Sequence, residues 1–84
     1  MAATKQTIRD FLGSSNWNYG EQFIIRWQFG ILGSFQQALI DVIKLADEEN
    51  LSRLAIVFPR EVDAFRAWSC GDLARRLRDA GLEI

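Results

Sequence analysis

Histidine is absent from this 84-residue chain, and cysteine and proline occur once each, as Cys70 and Pro59. The missing histidine removes both the commonest general base and the commonest metal ligand. A single cysteine cannot close an internal disulfide, so the fold must stand without one, and a reducing cytoplasm is the natural setting. An excess of one charge is also lacking. Ten basic residues against eleven acidic ones leave a net charge of −1, so long-range attraction to nucleic acid or anionic lipid is not built in.

Long apolar runs are scarce as well. The window 23–43 is the one membrane candidate, and it contains Arg26, Gln28, Gln36, Gln37 and Asp41. A spanning helix needs about 20 mostly apolar residues, and a charge at its centre costs about 2.5–3.5 kcal/mol on insertion scales. The opening stretch "MAATKQTIRDFLG" has no continuous apolar run and does not read as a signal peptide. The expectation is a cytosolic protein with no membrane contact.

Groups for chemistry are equally thin. Nucleophilic catalysis needs a nucleophile beside a base and a third group to orient that base. Cys70 precedes Gly71 and Asp72 at a predicted helix start, where a thiol can be activated, but the simpler reading is a small half-buried residue in a first turn. "DEEN" (47–50) lacks the spacing and the glycine of a calcium loop, and reads as a solvated helix end. "GILG" (30–33) lacks the Lys–Ser/Thr of a phosphate loop. Glu61 and Asp63, two positions apart, point in different directions on a helix. No catalytic residue, cofactor site or metal site is assigned, and the chain is read as a non-enzyme.

What is present is a globular composition: 49% hydrophobic and 25% charged residues in a length that makes one domain, residues 1–84. A chain this short buries about 60–65% of its unfolded surface, which makes a thin core. The apolar periodicity is helical. Ile8, Phe11 and Leu12 suit a helix over about 5–12, with Thr7 and Asp10 as a capping pair and Gly13 as its stop.

"FIIRWQFGILGSF" (23–35) fits a strand by alternation and a helix by the stripe Phe23, Trp27 and Ile31. Without a second clear strand to satisfy the backbone of a first, a helix over 21–32 is the better reading. Gly30 and Gly33 would then allow close helix approach or a bend.

The segment 34–48 opens with a Ser34–Gln37 capping box and carries Phe35, Ala38, Leu39, Val42, Ile43 and Ala46 on one face, with Ile40 and Leu45 widening it. It is expected to be the central helix. Asn50 caps a further helix ending near Phe58, with Leu51, Leu54, Ala55 and Phe58 on its inner face. Pro59 opens the next, where Val62, Phe65 and Trp68 face inward and Glu61 faces water. A Ser69–Asp72 box starts the last helix, with Leu73, Leu77 and Ala80 inside, Arg75, Arg76 and Arg78 outside, and Gly81 at its end. The expected architecture is all-α, a compact bundle of four to five short helices.

Aromatic and arginine residues then carry the functional reading. Trp17, Tyr19, Arg26, Trp27, Arg66 and Trp68 are of the types enriched at interface hot spots. A domain this small cannot bury all of its aromatic area, and accessible aromatic patches mark binding. Arg75, Arg76 and Arg78 form a second group suited to an acidic surface. In "DLARRLRDAG" they also suggest a helix-turn-helix-like DNA regulator using residues 72–80, although flanking Asp72 and Asp79 weaken the basic footprint such a protein needs.

The run 33–68 resembles a pattern seen in small uncharacterised helical proteins encoded by bacteriophages and prophages. The matching points are Gly33-Ser34-Phe35, Ala46-Asp47 with Asn50, Arg53-Leu54, and Phe58-Pro59 followed by Val62. The resemblance implies a phage-related helical protein in the bacterial host cytoplasm, with no active site to carry over. By analogy with that class, the expected role is binding to a bacterial host protein or complex, such as inhibition of a defence system in the manner of anti-CRISPR proteins. A homodimer is a further expectation, because a thin monomer core gains from extra burial.

Overall fold

Glycine and its absence of a side chain set the central packing of this chain. In the computed structural model, which describes residues 5–14 and 17–82, a Cβ added to Gly20 would fall within the Arg60 carbonyl group and 3.0 Å from the Glu61 amide nitrogen. Backbone therefore lies directly on backbone at this point, an approach that only glycine permits.

The two helices that meet there are α2 (Tyr19–Gln28) and α5 (Pro59–Ser69), the most extensively packed helix pair among the described residues. Around them run α1 (Lys5–Ser14), α3 (Ser34–Leu45), α4 (Glu48–Val57) and α6 (Asp72–Asp79). The described residues are thus all-helical, with six helices where four to five were expected. The Cα radius of gyration, 12.8 Å, is near the roughly 12 Å of a compact chain of this length.

Residues 23–35 resolve into a short helix followed by a turn. Phe23, Ile24 and Ile25 are consecutive and all buried, so α2 is enclosed over more than one face, while Tyr19 and Gln28 at its ends stay exposed. That enclosure is why its pattern also fitted a strand. The helix stops early because Gly30 takes φ +69°. The Gly30 amide donates to the Trp27 carbonyl and the Ile31 amide to that of Arg26, the paired bonds of a Schellman stop. Gly30 and Gly33 both face open space, so the close approach expected of them belongs to Gly20 instead.

The expected centrality of 34–48 gives way for the same reason. α3 ends at Leu45, leans on α2, and buries only Leu39, Ile40 and Ile43 fully. Phe35, Ala38 and Val42, assigned to the inner face, are exposed. Its N-cap is Gly33 with no side-chain bond, so Ser34 is the first helical residue and the Ser34–Gln37 box does not form.

Other caps shift by a few residues. Asp47, not Asn50, caps α4, accepting from the Asn50 amide at 2.9 Å. Glu48 and Glu49 follow in the first turn, where the helix dipole favours them. Asn18 and Glu21 form a capping box at α2, with bonds of 2.8 and 2.9 Å. Gly71 precedes α6 with φ +86°, and Ser69 ends α5, so the Ser69–Asp72 box is absent. Cys70 is accordingly exposed at the C-terminal end of α5 rather than half-buried in the first turn of a helix. Gly81, at φ +97°, stops α6 as expected, but Leu82 is buried while Ala80 is exposed. α1 runs on through Gly13 to Ser14. The Thr7–Asp10 capping pair rests on a Thr7 side chain that lies outside the described residues.

The core is built from Ile8 and Leu12 of α1, the α2 triplet, Ile40 and Ile43 of α3, Val62 of α5, and Leu73 and Leu77 of α6. Two glycine substitutions separate packing from propensity. Gly20→Ala forces a methyl group into the α5 backbone and should lower unfolding free energy by about 2–3 kcal/mol. Gly13→Ala, in a helix with open space around the new methyl, should raise it by about 0.5–1 kcal/mol. Urea titration followed by circular dichroism reads both signs.

Candidate functional site: an apolar groove between α3 and α4

The candidate contact residues sort into three structural groups, and most of them hold the fold together. Trp27 sits half-buried on α2 against Phe65 and Trp68 of α5, with ring centroids 6.5 and 6.4 Å apart and the Trp68 pair edge-on. The Lys44 ammonium of α3 lies 5.6 Å from the centre of the Trp27 ring, a cation–π contact. Trp27 therefore ties three helices together. Trp17 is half-buried and stacks on Phe11 at 5.8 Å. Its indole nitrogen is buried without a hydrogen-bond acceptor among the described residues.

Tyr19 is 47% exposed, and its hydroxyl accepts a 2.8 Å bond from the Gln36 amide of α3. Arg26 is half-buried, with its guanidinium 3.5 Å from the Gln22 side-chain oxygen. Arg66 is exposed and pairs with Glu48, pinning the start of α4 to α5.

The three C-terminal arginines do not act as a unit. Arg75 pairs with Asp72 at 2.7 Å on the solvent side. Arg76, expected outside, reaches back to Glu21 at 2.7 Å and to Asp72 at 3.1 Å. The Glu21 side chain is only 12% exposed, so this pair locks α6 onto the capped start of α2. The hydrogen bond that Arg76 donates to Glu21, with the charges of Glu21 and Asp72, holds the Arg76 pKa above its ordinary value, against burial, which lowers it. A cation with a raised pKa keeps its own charge at neutral pH and below and loses it, with the stability that depends on it, only in strong alkali. Arg78 is exposed and has no ion pair among the described residues. A cleft of about 250 Å³ near Arg76 is also lined by Glu21, Arg60 and Asp63, with both signs of charge side by side.

Glu61, expected in water, is 8% exposed in the first turn of α5, beside the Gly20 crossing. Among the described residues, no three groups of ligand type gather to hold a metal ion, and no helix is long and apolar enough to cross a membrane.

The accessible apolar surface lies elsewhere, on residues not singled out as contacts. Leu45 is 87% exposed, Ile56 81%, Val57 69% and Phe35 68%. α3 and α4 are joined by only two residues, yet α3 packs on α2 and α4 on α5. Between them opens a groove of about 440 Å³. Val42, Leu45 and Ala46 form one wall; Leu54, Val57 and Phe58 form the other, with Asn50 and Arg53 on the α4 side. Phe35 and Phe58, 6.3 Å apart, continue the apolar surface beyond it.

A signal for this face was present in the sequence. Phe35, Ala38, Val42 and Leu45 recur at steps of three, four and three, a second stripe beside Leu39 and Ile43. Apolar residues too numerous for one helix face must either be enclosed or face outward, and here they face outward.

In comparisons with known proteins, no family model, no curated protein and no solved structure matches this chain. Structural and free arginines separate in stability. Arg76→Ala should cost about 1–2 kcal/mol, since it strands the nearly buried Glu21 carboxylate, whereas Arg78→Ala should stay within about 0.5 kcal/mol of the parent. Parallel chemical denaturation of the two variants checks this.

Proposed function

We propose that this protein is a non-enzymatic binding module that grips another protein through the α3–α4 face. The observation that carries this reading is the contiguous apolar surface of that face, where Leu45 and Val57 are 87% and 69% exposed beside a concave groove. Large side chains left in water without a partner forgo about 1.5–3 kcal/mol each of burial, and such patches on small proteins mark binding surfaces.

The resemblance of residues 33–68 to phage and prophage proteins supports placing the partner in a bacterial host, with inhibition of a defence complex as the role. Both groove helices fall within that run. Trp17, Trp27 and Trp68 then serve by fixing the helices, and Tyr19, with its exposed ring, remains a rim contact.

The DNA-binding alternative has less to work with. Asp72 stands at the start of α6, Arg76 is held by Glu21 and Asp72, and Arg75 is held by Asp72. A recognition helix would present those groups to phosphates and bases.

The test is affinity capture from bacterial lysate in high salt with the parent and two variants. The parent and Arg78→Ala should retain one stoichiometric protein. Leu45→Glu, a change at a solvent-exposed position expected to leave stability within about 0.5 kcal/mol, should lose it while keeping the parent circular dichroism spectrum. Equal retention by Leu45→Glu would remove the α3–α4 face as the contact.

A further inference from the structure

We draw no further inference here: the strongest candidate, the apolar groove between α3 and α4, carries nothing beyond the binding role already proposed for it, because nothing in the structure shows what covers it.

Discussion

The meeting of α2 and α5 at Gly20 and Arg60 governs the rest of the molecule. Because the two backbones touch there, α2 is drawn into the centre, and its residues Phe23, Ile24 and Ile25 are closed off together. The flanking elements then take sides. α6 is fastened to the head of α2 by Arg76 and Glu21, α4 lies along α5, and α3 leans on α2. With α3 and α4 attached to different members of the central pair, the hairpin they form is pried open. The exposed apolar groove is the consequence of that division, and the candidate function depends on it.

Charge follows the same division. The ion pairs that bridge separate helices, Arg76–Glu21 and Arg66–Glu48, act at the ends of the elements and orient them. Exposed pairs of this kind are each worth little, but the Glu21 carboxylate is nearly enclosed and also caps α2, so its partner has structural weight. Of the arginines that looked like a binding surface in the linear chain, Arg66 and Arg76 are spent in this way, and Arg75 is paired within α6. The aromatic residues show a parallel pattern. Trp27, Phe65 and Trp68 face one another, and Lys44 covers the outer face of Trp27.

Much of the fold was legible in the chain because helix ends leave strong local marks. Pro59 opening a helix, Gly81 closing one, and Leu73 and Leu77 facing inward all follow from short-range chemistry. The all-helical class followed from the want of a second strand. The rank of the helices was not legible. α3 has the clearest amphipathic pattern, yet α2 is central, because the deciding contact is a tertiary one between residues 40 positions apart in sequence. Nothing local distinguishes Gly20 from Gly30. The functional face was obscured by a related ambiguity: Leu45 and Val57 are apolar residues on amphipathic helices, and only the positions of α2 and α5 determine that these two point outward while Ile40 points in.

Methyl resonances report the central claim most directly. With a soluble paramagnetic cosolute added to the free monomer, the methyl groups of Leu45 and Val57 should broaden strongly while those of Ile24, Ile40 and Ile43 stay sharp. Protection of Leu45 and Val57 equal to that of the three isoleucines would mean that α3 and α4 close on each other in solution. The open groove, and the binding role built on it, would then be contradicted.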